Sequence, residues 1–373
     1  HIPVIARAEM LAELMRMKYG VAIAGSHGKT TTTSLVGAIL QHGGLDPTII
    51  VGGRVRSLGS HSRLGDGDIL VAEADESDGS FLHLVPTVVV VTNIDHEHVD
   101  HYGSFEALCE AFLAFANRAP FYGVCVLALD DPHVQRLLPR VTRRVRSYGL
   151  SAQAEISATE LRSDGLRTRF VVTLDRKPLG EVRLHIAGRH NVQNALAAIA
   201  VGIEHDVSFE KIREALEAFS GVERRFEVCG ERDGVIVVND YAHHPTEIRA
   251  TLATAREALG RRVVAVFQPH RYSRTAQLED DFARAFHDAD VLLLTEIYAA
   301  GETKLPGVEA SRLAEAIREH GHREVQFVPD RAELLPTLRG LTRAGDVLLF
   351  LGAGDIGQLA TRYLDTDSGG QDD

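Results

Sequence analysis

The chain has 373 residues, 45% hydrophobic and 25% charged, the make-up of a soluble globular protein of two or three domains. A formal net charge of -12 excludes a basic nucleic-acid surface, so a bound nucleotide must be held by local loops and a metal ion. Cys109, Cys125 and Cys229 stand apart with no CxxC pair, which argues against structural zinc and for a reducing, cytoplasmic setting, and no apolar run reaches the length of a membrane span.

In chain order, Ala6 to Tyr19 has a helical pattern with Met10, Leu11 and Leu14 as its stripe, a lead-in helix beside the first strand. Val21 to Ala24 reads as a buried parallel strand. It breaks at Gly25-Ser26-His27-Gly28-Lys29-Thr30, before a helix with Leu35, Val36, Ile39 and Leu40 on one face, capped at Gly43-Gly44. This is a strand, a phosphate loop and a helix. Glycines let backbone N–H groups approach phosphate oxygens at a helix N-terminus, Lys29 is placed for the outer phosphates, and Thr30 for Mg²⁺. The loop is short, with only Ser26 and His27 between Gly25 and Gly28.

A strand at Ile49 to Val51 leads into a Gly- and Ser-rich segment that reads as a mobile loop. Strands at Ile69 to Ala72 and Thr87 to Thr92 end in the acidic run from Glu73 to Asp78 and in Asn93-Ile-Asp95-His96-Glu97-His98-Val-Asp100-His101. Ligands collect at the carboxyl ends of strands in open α/β sheets, so these ends mark the site. The HExxH zinc pattern fails because Asp100 stands where the second His is needed, and nucleotide-linked Mg²⁺ is the better reading; His96 and His101 are expected to be solvated loop residues. A helix from Ser104 to Ala119 and a strand around Val124 to Ala128 follow.

Alternating segments between Ala154 and Ile186 read as an antiparallel meander flanking the parallel sheet. Gly188-Arg-His190-Asn191-Val-Gln-Asn194 opens a helix to Ile203, a second helix runs from Ser208 to Phe219, and Ser220-Gly221 is the expected hinge. Beyond it, apolar strands at Val235 to Val238, Val263 to Phe267, Val291 to Leu294 and Val347 to Leu351 alternate with helical stretches, a second doubly wound unit. Two of these strands end in Asp240-Tyr241-Ala-His243-His244 and Gln268-Pro-His270-Arg271-Tyr-Ser-Arg274, where Arg271 and Arg274 suit a carboxylate or phosphate. Gly352-Ala-Gly354-Asp-Ile-Gly357 matches a dinucleotide fingerprint, but too little chain follows it, and the glycines are expected to serve a tight turn and close packing.

GSHGKTTTT, EADESDGSFLHL, TNIDHEHVDHY, GRHNVQNALAA, ERRFE, NDYAHHPTE and QPHRYSRT, in this order from about Ile2 to Gly357, resemble the Mur ligases of peptidoglycan synthesis. The resemblance implies an α/β fold: a central, mostly parallel P-loop-type domain with an antiparallel flank (21–220), after a lead-in (1–20) and before a Rossmann-like domain (221–364) and a disordered tail (365–373). It implies ATP-dependent joining of L-alanine to the lactyl carboxylate of UDP-N-acetylmuramate through an acyl phosphate, with Mg²⁺, by a monomer or weak homodimer without nucleic-acid or membrane partners. By the same resemblance Gly25, Ser26, His27, Gly28, Lys29, Thr30 and Thr31 hold the phosphates, and Thr30, Glu73 and His98 ligate the metal. His190, Asn191 and Asn194 lie on the adenine side; Arg225 and Asp240 reach ATP from the C-terminal domain; Tyr241, His243, His270, Arg271 and Arg274 hold the alanine and muramoyl ends. Lys29, Glu73, His98, His243 and Arg271 are the expected catalytic set. Ser26 stands where the family usually has threonine, and family members carry about a hundred residues upstream, a UDP-binding domain that nothing here matches. A murein peptide ligase of the same family, and a P-loop module without ligation, are the rival expectations.

Overall fold

The computed structural model describes residues 4–55 and 60–365; residues 56–59 of the expected mobile loop and 366–373 of the expected tail lie outside the described residues. Two compact units divide between Glu223 and Arg224. No helix among the described residues is long and apolar enough to cross a membrane.

The first unit is built on β1 (Tyr19–Ala24), β2 (Thr48–Val55), β3 (Ser60–Arg63), β4 (Ile69–Glu73), β5 (Val88–Val91), β6 (Val124–Ala128), β7 (Arg144–Gly149), β8 (Ile156–Asp164), β9 (Arg167–Leu174) and β10 (Lys177–Leu184). They form one sheet in the order β10-β9-β8-β7-β6-β5-β1-β4-β2-β3, parallel from β8 to β2 and antiparallel at both flanks. The meander at β8 to β10 is as expected. Strand alternation sorts the core. Val21, Ile23, Val88 and Val90 face the helices Lys29–His42, Arg189–Glu204 and Phe209–Ala218, while Ala22, Ala24, Val89 and Val91 face Arg7–Arg16 and Phe105–Ala116. With each large aliphatic side chain worth ~1.5–3 kcal/mol on burial, these two clusters fix β1 at the centre. The strand order reverses there, so the carboxyl ends of β1, β4 and β5 form the sheet's crevice.

Two expectations need correction. The lead-in helix Arg7–Arg16 does not bury Met10 and Leu14, which are 48% and 38% exposed; Ala12 and Met15 go inside. Gly20 explains the phase, because a Cβ there would stand 2.4 Å from Met15 Cγ, so the glycine leaves room for that side chain. The Gly- and Ser-rich segment is not loop throughout: β3 returns antiparallel along β2, and its sequence SHSR is too polar to signal a strand. β7 was unmarked because its arginines sit outside the core.

The second unit has β11 (Glu227–Arg232), β12 (Val235–Asp240), β13 (Val263–Phe267), β14 (Val291–Leu294), β15 (Val325–Phe327) and β16 (Val347–Leu351), ordered β11-β12-β16-β13-β14-β15. All pairs are parallel except β11 with β12. Helices Pro245–Leu259 and Ala310–Glu319 cover one face, and Arg331–Leu341 and Gln358–Leu364 the other. The four expected strands are present. β11 and β15, half-buried and short of apolar runs, carried no sequence signal. The glycine run after β16 serves packing: a Cβ on Gly354 would lie 2.4 Å from Gln268 Oε1, and one on Gly357 2.6 Å from Asn239 Oδ1.

Candidate functional site

In the first unit the loop after β1 is sewn to the end of β5. Ser26 N donates to Asn93 O (3.1 Å) and His27 N to Asn93 Oδ1 (2.8 Å); Asn93 Nδ2 (3.0 Å) and Thr92 Oγ1 (2.6 Å) donate to His27 O. Ser26 Oγ accepts from Asp95 N (2.8 Å), and His27 Nε2 lies 3.0 Å from Asp95 Oδ2. The glycines answer to this packing as much as to any phosphate. Gly25 has φ +134°, and a Cβ there would fall 2.0 Å from Thr92 Oγ1; Gly28 has φ +82°, with Asn194 Oδ1 2.5 Å from its Cβ position. Gly28 then caps Lys29–His42 with no side-chain bond to the first-turn amides, which leaves those N–H groups, including that of Thr31, at the positive end of the helix.

Lys29 folds back over this loop. Its Nζ donates to Gly25 O (2.6 Å), Ser26 O (3.3 Å) and Glu76 Oε1 (2.8 Å). Burial opposes its charge, but the carboxylates of Glu76 and Glu73 outweigh that and hold the ammonium above the ordinary lysine range. Thr30 Oγ1 donates to Glu73 Oε2 (3.1 Å), and Gly52 N donates to the same carboxylate (2.8 Å). His98, at a left-handed φ of 56°, puts Nε2 3.8 Å from Glu76 Oε1 and 3.7 Å from Glu97 Oε2. Of the expected metal set, the contacts therefore tie Thr30 to Glu73, and His98 to Glu76 and Glu97.

Magnesium fits these residues. Hydroxyl and carboxylate oxygens are its donors, and Glu76 Oε2 is a buried acceptor with no donor of its own. In the sequence Glu76 is one of several acids between Glu73 and Asp78 with nothing to mark it; its burial is what sets it apart. His96 and His101 are exposed, as expected, but His101 lies in the short helix Val99–Tyr102 and not in a loop, and His96 lies flat on Phe105 with ring centres 3.8 Å apart.

Asn191 and Asn194 are buried behind the loop. Asn191 Nδ2 donates to Ala187 O (2.6 Å), Asn194 Nδ2 to Asn191 Oδ1 (3.2 Å), and Thr32 Oγ1 to Asn194 Oδ1 (3.2 Å). They brace the phosphate loop from the helix Arg189–Glu204. His190, half-buried, lies in the first turn of that helix, one residue before Asn191.

The second unit assembles the other expected residues at the ends of β12 and β13. Tyr241, His243, His270 and Tyr298 run ring to ring, with centroids 5.2, 5.9 and 5.5 Å apart, the last pair stacked. Arg224 and Arg225 lie over Tyr241 at 4.7 and 5.1 Å. Tyr298 has no motif around it and was missed; its backbone pairs with the His270 segment, and it accepts from Arg271 N (2.9 Å). Asp240 is a clamp, accepting Phe226 N and Ala242 N at 2.7 Å each, and burial pushes its carboxyl up to about 6 even against Arg225.

His243 Nδ1 lies 3.0 Å from Tyr241 O and 3.3 Å from Glu247 Oε2, both of which can only accept, so Nδ1 carries a proton. His270 is the reverse. Arg274 Nη1 can only donate to its Nδ1 (3.4 Å), and burial, then His243, Arg274 and Arg271, press its pKa down to about 4. Arg271 is exposed at φ 71°, ψ 138°, a conformation an L-residue rarely adopts.

A phosphate-type loop at a sheet's switch point, followed in one chain by an α/β unit with His, Tyr and Arg at its strand ends, defines a two-unit nucleotide-handling enzyme. Residues 23–202 match the Mur ligase middle domain and 224–354 the Mur ligase glutamate ligase domain, and the chain belongs to the Mur ligase family. Among its relatives, a UDP-N-acetylmuramate–L-alanine ligase of Geobacter sp. (strain M21) is 56% identical over 364 residues, 97% of this chain and 79% of the relative. A ligase of the same name from Anaeromyxobacter sp. (strain Fw109-5) is 58% identical over 355 residues, 95% of this chain and 77% of the relative. The crystal structure of the UDP-N-acetylmuramate-alanine ligase of Thermotoga maritima superposes with a TM-score of 0.80 at 29% identity, covering 96% of this chain and 77% of that one. Another ligase of that organism, MurF, solved in complex with ADP, shares the fold at TM-score 0.74 and 18% identity over 97% of this chain and 84% of that one.

Proposed function

We propose that the chain joins L-alanine to the lactyl carboxylate of UDP-N-acetylmuramate, with ATP converted to ADP and phosphate. The observation that carries this reading is the loop Gly25–Thr30, with Lys29 set on Glu76 and Thr30 on Glu73, in a chain more than half identical to ligases of that name. The lactyl carboxylate oxygen attacks the γ-phosphorus and ADP leaves. The alanine nitrogen then attacks the acyl carbon, and the tetrahedral intermediate expels phosphate as the amide forms. A carboxylate is a poor electrophile and an acyl phosphate a good one, so positioning and charge neutralisation supply most of the rate.

In this reading the first-turn amides and Lys29 hold the outer phosphates, and Thr30, Glu73 and His98 hold Mg²⁺. The ion, when bound, would neutralise charge developing on the transferring phosphoryl group. His190 stands on the adenine side, with Asn191 and Asn194 supporting the loop. Arg271 and Arg274 pair with the anionic end of the substrate, and Tyr241, His243 and His270 line the amino-acid side.

The test is phosphate release from Mg-ATP with UDP-N-acetylmuramate and a panel of amino acids and muramoyl peptides. Release that requires L-alanine is expected. Release that requires a tripeptide would move the assignment to a murein peptide ligase, and release indifferent to any amine to a nucleotide-binding module. Lys29→Ala should abolish nucleotide binding, whereas Arg271→Ala should spare it and stop turnover.

A further inference from the structure

Lys29 has three N–H donors, and all are taken: Gly25 O at 2.6 Å, Glu76 Oε1 at 2.8 Å and Ser26 O at 3.3 Å. A phosphate oxygen wins one of them only by displacing one of these acceptors, and the acceptors are not equal. Glu76 is 0% exposed, and its second oxygen is buried with no hydrogen-bond partner. Losing Lys29 would leave the buried carboxylate with His98, 3.8 Å from Oε1, as its remaining ion-pair partner and with no hydrogen bond to Oε2, an unfavourable state. The two loop carbonyls are neutral, and Ser26 O is the more distant.

We infer that Glu76 is a positioning residue for the phosphate-binding lysine: it keeps its bond to Lys29 and aims Nζ, so that an outer phosphate displaces the Ser26 carbonyl and not the carboxylate. The inference rests on the nucleotide reading of the loop. Glu76 is well placed for the task because its backbone is fixed independently of the loop. Its carbonyl accepts from Tyr102 Oη (2.5 Å) and from Gly79 N (3.1 Å), which pins the turn that follows β4, while Lys29 rides on the loop that follows β1. The ion pair thus joins two strand ends of the crevice, and the lysine's reach is set from the neighbouring strand.

Titration calorimetry on the full chain with Mg-ADP and with AMP tests this. Glu76→Gln keeps the shape and the acceptor but not the charge, and should weaken ADP about tenfold; Glu76→Ala removes the anchor and should weaken it about a hundredfold, the range of one charge-assisted hydrogen bond. AMP has no outer phosphate, and its affinity should stay within about twofold in both. A merely structural role would instead weaken ADP and AMP together, and that result overturns the inference, as does wild-type ADP affinity in Glu76→Gln. Wild-type protein that binds no ADP would overturn the nucleotide reading itself. Should Glu76→Ala fail to fold, the isosteric Gln variant carries the test alone.

Discussion

The two candidate sites are held in opposite ways. In the first unit the functional side chains hold one another: Lys29 on Glu76, Thr30 on Glu73, and the loop on Thr92, Asn93 and Asn194, with the central ion pair 15% and 0% exposed at its two ends. In the second unit the backbone holds them. Asp240 clamps two amides, Tyr298 pairs its main chain with the His270 segment, and Arg271 is left exposed on a strained residue. On the function proposed above, the first site takes phosphates and a metal, which need fixed charge in a dry place, and the second a carboxylate and an amine, which need donors with reach. Removing a charge should therefore cost the first unit its stability and the second mainly its chemistry.

The sharpest break of that contrast is Lys29→Met. It strips a buried carboxylate of its partner and should destabilise the first unit by ~3–5 kcal/mol. Adding Glu76→Gln removes the stranded charge and should restore most of the loss, a non-additivity expected of residues in contact. Hydrogen exchange of the β1 amides reads the effect in the right unit. A double variant no more stable than the single would mean that shape, and not charge, binds this pair.

That contrast also decided what was legible. The strand, glycine turn and helix around Lys29 were plain because their residues lie within one stretch. Both doubly wound sheets and the antiparallel flank followed from apolar runs and alternation. What could not be read was set by distance in space. Glu76 is one acid among neighbours such as Asp75 and Asp78 and stands out by being buried where they are exposed, and Tyr298 gains its place from a backbone pairing across the sheet's carboxyl edge. The bonds of Asn191 to Ala187 and of Thr32 to Asn194 join residues far apart or unmarked in the sequence and could not be read from it. The polar strands β3 and β7 lacked any apolar period to betray them.

In the second unit the next largest effect belongs to Asp240. Its folded pKa of about 6 lies above the ordinary 3.8, so its contribution is fully present below about pH 4 and is lost as pH rises through 6, a swing of roughly 3 kcal/mol. His270 works the other way. Its pKa is pressed from 6.5 to about 4, so its contribution is present above pH 6.5 and fades as pH falls toward 4, and partial exposure makes that slope the shallower. Wild type should therefore lose stability only gently between pH 4 and 6. Asp240→Asn should reverse the trend, with stability of the second unit rising with pH, while His270→Gln should steepen the loss. Urea unfolding at pH 4, 5 and 6 measures all three, and an unchanged slope in Asp240→Asn would show that this carboxyl is ionised throughout.

The smallest effect is the most telling about backbone support. Arg271 sits at φ 71°, ψ 138°, where a Cβ is disfavoured and glycine is at ease, and such strain costs on the order of 1–3 kcal/mol. Glycine gives back part of this through its freer unfolded chain, so Arg271→Gly should stabilise the second unit by about 1 kcal/mol. Ligation should fall sharply in the same variant, since the guanidinium is gone. A gain in melting temperature with a loss of turnover would mark the residue as one kept for chemistry against the preference of its own backbone. A loss of both would show instead that the arginine side chain holds the turn after β13, and the second unit would then resemble the first more closely than its bonding suggests.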